Sequence, residues 1–273
     1  MLVNGVETEQ ISATDRGLQY GDGLFETIAV VDGKLEFWGR HMARLQRGAE
    51  KLSIPLPPEE LFLAEAEQLV GSDGSSRSVL KITITRGSGG RGYRPPESPA
   101  PTRILALSPW PEYPAEYYKS GVRLHLCETR LGSNPLLAGI KHLNRLEQVM
   151  ARGEWSDPDI AEGLMVNGED HIVEGTMSNI FFVRGGEVIT PELTRCGVAG
   201  VMREMLIEQL QQDGISVTVR PIHLSELSEM EEAFCSNSLI HVWPVRQIGD
   251  KQFSVLDPIV THLTRFIDVD KYF

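Results

Sequence analysis

Phe25-Glu26-Thr27-Ile28-Ala29-Val30-Val31-Asp32-Gly33-Lys34-Leu35-Glu36-Phe37-Trp38 holds two runs of strand-forming residues around a two-residue turn. Glycine tolerates positive φ, so Asp32-Gly33 predicts a β-hairpin with strands over 25–31 and 34–38. Immediately outward, His41, Arg44, Leu45 and Leu52 recur at helical spacing until Pro55 stops the helix. Pro57-Pro58 then opens a second helix over 59–70. Residues 79–85 and 103–107 alternate and are rich in β-branched side chains, which predicts two further strands. Residues 1–110 are therefore expected to form an α+β domain.

Prolines at 109, 111 and 114 place three prolines in six residues, too many for regular structure. Residues 111–120 read as an interdomain linker. Beyond it, strands are expected at 121–129, 162–167, 179–184 and 231–236, with helices near 142–153, 199–212 and 256–269. Asn167-Gly168 and Gly185-Gly186 mark tight hairpins, so residues 121–273 are a second α+β domain with much antiparallel pairing.

The composition limits what the chain can do. With 273 residues, 41% hydrophobic and 23% charged, it can bury the cores of two domains. A formal net charge of −12 argues against nucleic acid or an anionic membrane as partner. The polar, acidic start and the lack of a run of roughly 20 apolar residues point to the cytoplasm. Cys127, Cys196 and Cys235 are widely separated without a CxxC pair, so neither a disulfide framework nor a metal site is expected. An anionic ligand would need particular arginines working against the overall field.

Four patterns carry chemistry. Lys141 lies in Leu136-Leu137-Ala138-Gly139-Ile140-Lys141-His142-Leu143-Asn144, where loss of hydration would favour a neutral amine that can attack an aldehyde. Gly87-Ser88-Gly89-Gly90-Arg91-Gly92 fits the dinucleotide pattern, but Tyr93-Arg94-Pro95-Pro96 cannot open the required helix on time. It reads instead as a mobile loop that brings Arg91 and Tyr93 to a ligand carboxylate. Gly197-Val198-Ala199-Gly200 leads into an amphipathic helix whose first amides can cup a phosphate. Glu174 ends a strand before glycine and can keep a pyridine nitrogen protonated.

Together these residues carry a resemblance. Tyr20-Gly21-Asp22-Gly23-Leu24-Phe25-Glu26-Thr27, His41-Met42-Ala43-Arg44-Leu45, Lys141 with Asn144, Glu174-Gly175-Thr176-Met177-Ser178-Asn179 and Gly197-Val198-Ala199-Gly200-Val201-Met202-Arg203 resemble the fold-type IV pyridoxal-phosphate enzymes, in order along the chain. The resemblance implies a smaller N-terminal α+β domain and a larger C-terminal domain with a mixed, barrel-like sheet. It implies pyridoxal 5'-phosphate in the interdomain cleft, and a homodimer. It assigns Lys141 as the Schiff-base lysine, Arg44 and the Val201 and Met202 amides to the phosphate, and Glu174 to the pyridine nitrogen. Asn237 and Ser238 are implied near the cofactor. Ser238 is similar to a phosphate-binding threonine of the transaminases in the group.

Arg86-Gly87-Ser88-Gly89-Gly90-Arg91-Gly92-Tyr93 and the segment 130–148 resemble the lyase branch of that group, which makes p-aminobenzoate from aminodeoxychorismate. Thr27 and Asn237 match that branch, whereas branched-chain transaminases favour glycine at both positions. Glu26 is a departure, where another lyase of the group has a second threonine. The resemblance therefore implies Lys141 as base, Thr27 as proton relay, and Arg91, Tyr93, Asn237 and Thr27 as substrate contacts. His41 and His142 are expected to be structural. A branched-chain or D-amino acid aminotransferase and a vitamin B6-binding protein without turnover are the two competing readings.

Overall fold

A computed structural model describes residues 1–255 and Leu263. Two compact units divide the chain: Met1–Pro111 with Ile140–Arg145, and Glu112–Gly139 with the residues from Leu146 onward. The short segment that carries Lys141 thus groups with the first unit.

The first unit contains β1 (Leu2–Val3), β2 (Val6–Glu7), α1 (Arg16–Tyr20), β3 (Gly23–Val31), β4 (Lys34–Leu35), α2 (Trp38–Leu52), α3 (Glu59–Asp73), β5 (Arg77–Thr85) and β6 (Thr102–Pro109). Its six strands run in the order β2-β1-β6-β5-β3-β4, and every pairing is antiparallel. Asp32 and Gly33 have φ of 48° and 73°, the paired positive values of a hairpin whose twist matches its strands. The second strand is shorter than the expected 34–38. Phe37 at φ 52° turns the chain, and Trp38 already begins α2. His41, Met42, Arg44, Leu45, Gly48 and Ala49 form the buried stripe of that helix. The core is the apolar face of the sheet, with Ile28, Leu80, Ile82, Ile84 and Leu105 fully buried beside Leu45 and Phe62.

The glycine-rich segment after β5 opens no helix, so the dinucleotide reading fails on structure as it did on spacing. Gly87 has φ 84°, and a Cβ there would lie 1.8 Å from the carbonyl oxygen of Ala100. Only glycine lets these two backbones close the base of the loop.

The second unit contains α4 (Glu116–Lys119), β7 (Val122–Leu131), α5 (Leu146–Arg152), β8 (Ile160–Asn167), β9 (His171–Gly175), β10 (Asn179–Arg184), β11 (Glu187–Pro191), α6 (Val201–Gln212), β12 (Val217–Arg220), β13 (Ile222–His223), β14 (Glu232–Asn237), β15 (His241–Ile248) and β16 (Lys251–Gln252). Its ten-stranded sheet is mixed, in the order β12-β11-β10-β14-β15-β7-β8-β9-β13 with β16 on β15. β11–β12, β15–β7 and β7–β8 are parallel, and the hairpins at 168 and 185 are present as expected. The strands at the two ends, β12 and β13, are separated in sequence by Pro221 alone. The sheet must therefore curl until its ends meet, which gives it a barrel-like form.

Two expectations need correction here. The helix expected from 142 begins only at Leu146. The segment read as an irregular linker contains α4, and Tyr113, Tyr117 and Tyr118 pack edge-on around Trp243 with centroids 4.8, 5.2 and 6.1 Å away. The prolines hold the chain so that this aromatic cluster can close one end of the core. The helix expected near 256–269 lies outside the described residues, apart from Leu263. Among the described residues no helix is long and apolar enough to cross a membrane.

Gly87→Ala should destabilise the protein by about 3 kcal/mol, lowering Tm by roughly 5–10 °C. Gly90→Ala, where a Cβ meets nothing within 4 Å, should change stability by less than about 0.5 kcal/mol. Thermal unfolding of the two variants checks the pair, and equal Tm values would contradict it.

Candidate active site

Lys141 is fixed by backbone pairing. The amide of Phe25 donates to the Lys141 carbonyl at 3.0 Å, the amide of Leu143 donates to the Gly23 carbonyl at 3.0 Å, and Leu24 bridges His142. Residues 141–143 thus continue the edge of β3 beyond the point where β4 ends. The ammonium nitrogen of Lys141 lies 4.4 Å from the centroid of the Phe25 ring. Side chains two apart on a strand share a face, so Thr27 stands on the same side of β3 as Phe25. Thr27 is half-buried. Glu26 points to the other side, into the protein.

There Glu26 forms a buried charge cluster. Arg44 Nε donates to Oε1 at 2.9 Å, Arg44 Nη2 pairs with Oε2, and His41 Nδ1 lies 2.7 Å from Oε2. Burial alone would raise the Glu26 carboxyl, but the charge and hydrogen bond of Arg44, with that of His41, hold it at about 2. Burial pushes His41 below its ordinary range, helped by the charges of Arg44 and Lys141. Arg44, expected on a phosphate, is therefore already oriented by a carboxylate in its own unit. His142 is lowered to about 4 by burial and then by the charge of Arg145.

The glycine-rich loop is anchored by a residue that pattern reading passed over. Buried Arg16 donates from Nη1 to the Gly92 carbonyl and from Nη2 to the Tyr93 carbonyl, both at 3.0 Å. Asp22 neutralises it and receives Arg86 as well. Burial would raise the Asp22 carboxyl, yet the two arginines hold it below the usual carboxylate range. Arg91 and Tyr93 are exposed, and the Tyr93 ring packs 5.4 Å from that of Tyr20. An arginine inside the first turn of a short helix beside Asp15 and Asp22 was the available signal.

The second unit supplies a carboxylate and an anion cup. Glu174, at the end of β9, is buried, and its Oε2 accepts from the Val198 amide at 2.8 Å. Asn179 Nδ2 donates to the Val198 carbonyl at 2.9 Å. Gly200 precedes α6 with no side chain capping the helix, and a Cβ there would meet Asn179 Oδ1 at 2.1 Å. The amides of Val201 and Met202 open the helix at its positive end. Gly200 thus lets Asn179 pack against the start of α6 while the first amides keep no side-chain cap, a donor set that suits an anion such as a phosphate.

Asn237 ends β14 with Ser238 beside it, both half-buried. The Asn237 side chain donates to the Met177 carbonyl at 3.1 Å and accepts from the amides of Leu239 and Ile240. Glu162, in an otherwise apolar strand, was not foreseen as part of this region; its carboxylate gathers the turn after Glu174.

The pH dependence of stability follows from Glu26 and His41. Both have folded values below their unfolded ones, so the unfolded chain binds more protons as pH falls. Their stabilisation is present above about 6.5 for His41 and about 4.5 for Glu26, and is lost toward the folded values. Glu26→Gln should cost about 3–5 kcal/mol at neutral pH by leaving Arg44 without its buried partner. It should also flatten the dependence between about 4.5 and 2. Urea midpoints across this range measure both, and an unchanged slope in the variant would contradict the assignment.

The family described as Amino-transferase class IV matches residues 23–248. An aminodeoxychorismate lyase of Vibrio harveyi is 40% identical over 257 residues, covering 94% of each chain. The crystal structure of 4-amino-4-deoxychorismate lyase from Pseudomonas aeruginosa superposes with a TM-score of 0.95 at 44% identity, covering 100% of this chain and 99% of that one. A D-alanine aminotransferase of Listeria monocytogenes is 26% identical over 260 residues, covering 92% of this chain and 88% of its own. With a family match across most of its length and relatives that align end to end, the chain belongs to the class IV amino-transferase family.

Proposed function

We propose that this protein is a pyridoxal 5'-phosphate-dependent lyase that converts 4-amino-4-deoxychorismate to 4-aminobenzoate and pyruvate. The observation that carries the reading is the contrast in similarity. Two relatives bearing the lyase name match at 40% and 44% identity along nearly the whole chain, while the branched-chain and D-alanine aminotransferases match at 30% and 26%. Thr27 and Asn237 support the same choice.

Lys141 supplies the amine that holds the cofactor. Arg44 and the amides of Val201 and Met202, with Ser238, would take its phosphate. Glu174, buried beside the Val198 amide, would hold a proton on the ring nitrogen. When bound, the cofactor supplies an electron sink for the substrate carbon that carries nitrogen.

The remaining steps belong to the protein's own side chains. The Lys141 amine removes the proton from that ring carbon. The carbon–oxygen bond to the enolpyruvyl group breaks, a proton reaches its methylene carbon, and pyruvate leaves as the ring becomes aromatic. One proton is taken and one is returned, so no oxidant or amino acceptor is needed. Thr27, on the face of β3 that carries Phe25 and therefore the Lys141 ammonium, relays the returning proton. Arg91 and Tyr93 are the groups proposed for the substrate carboxylates. The family resemblance also supports a homodimer.

Pyruvate release coupled to lactate dehydrogenase, with aminodeoxychorismate present and no oxo acid, tests the reading. The lyase should form pyruvate and 4-aminobenzoate in equal amounts. Lys141→Ala should lose at least about a thousandfold in kcat, and Thr27→Val about a hundredfold. Amino transfer that requires a 2-oxo acid, with no pyruvate formed, would establish the aminotransferase instead.

A further inference from the structure

The turn between β9 and β10 is held by one carboxylate. Glu162 is 1% exposed. Its Oε1 accepts from the Gly163 amide at 2.8 Å, from the Thr176 amide at 3.0 Å and from the Thr176 hydroxyl. Its Oε2 accepts from the Met177 amide at 3.1 Å and the Ser178 hydroxyl at 2.8 Å. Five donors surround the buried carboxylate, and among the described residues no cation pairs with it, in the way that anion nests work. They also fix what the turn can present. Both hydroxyl protons are spent on Glu162, so Thr176 and Ser178 can accept hydrogen bonds but not give them.

Asn237 grips the same turn from another strand. Its amide nitrogen donates to the Met177 carbonyl at 3.1 Å, while its oxygen is held by the amides of Leu239 at 2.8 Å and Ile240 at 2.9 Å. Both lone pairs of that oxygen are used, and one of its two N–H groups is used. Glycine at this position could make none of these bonds. Met177 is therefore clamped through its amide by Glu162 and through its carbonyl by Asn237. Its side chain remains 43% exposed. In sequence it lies three residues after Glu174 and two before Asn179, the two side chains that grip Val198.

We infer that Glu162 and Asn237 are positioning residues that brace the turn over residues 175–178, and that Asn237 acts on the proposed substrate by fixing Met177 as an apolar wall rather than by binding a carboxylate. The polarizable thioether suits the flat six-carbon ring that the proposed reaction aromatises. The inference rests on the lyase reading for its substrate, while the brace itself is a property of the chain.

Two measurements on the cofactor-loaded enzyme test it. Amide hydrogen exchange, without substrate, should speed up at least about tenfold in the peptide spanning 174–179 in both Asn237→Ala and Glu162→Gln. Their losses in kcat/KM should be non-additive in the double variant, because both act through the same turn. If Glu162→Gln does not fold, Ser178→Ala removes one of the five donors and should move exchange in the same direction. Unchanged exchange in Asn237→Ala with a rise in KM alone, additive with the second variant, would make Asn237 a direct substrate ligand and overturn the inference. If the wild type released no pyruvate, the lyase reading would fall, and the exchange comparison would still decide the brace.

Discussion

A carboxylate that leaves water must be matched by charge or by donors, and this chain buries several of them. The matching partners explain much of the local geometry around the site. Glu26 holds Arg44 and His41, Asp22 holds Arg16 and Arg86, Glu162 holds a turn, and Glu174 holds the amide of Val198. Glu65 plays the same part for Arg103 beneath α3. A chain with a formal net charge of −12 thus commits arginines to buried acids in its first unit and backbone amides to buried acids in its second. Removing one partner strands the other, which makes these clusters rigid.

Rigidity matters because the proposed chemistry needs groups that are already in place. Lys141 has no regular element of its own. It owes its position to two backbone hydrogen bonds onto β3, and the ring of Phe25 lies beneath its ammonium. The anion cup likewise depends on a contact that only glycine permits, between Gly200 and Asn179. Arg44, oriented by Glu26, differs from a solvated arginine in having little freedom to lose on meeting a phosphate.

The hairpin at Asp32-Gly33 and the strands of the first unit were legible because turn chemistry and alternation agree there. The glycine turn into α6 at Gly200 and the strand-end place of Glu174 were legible because each is a local pattern. Other features depend on tertiary context. His142 and Leu143 continue the helical spacing of 146–152, yet pairing with β3 overrides that propensity. β15 went unread because Pro244 interrupts it; the structure tolerates the proline since pairing with β7 begins only at Val245. Arg16 and Glu162 act through atoms far away in sequence, which no spacing announces. Glu26 was visible only as a departure from a pattern, and its role emerged once Arg44 and His41 stood beside it.

Lys141 is the residue proposed to carry the cofactor. Borohydride reduction of the loaded enzyme, followed by proteolysis and peptide mapping, measures this directly. The reduced pyridoxyl group should be found on the peptide containing Lys141, at one per chain. Recovery of the label on another lysine, or of none at all, would contradict it.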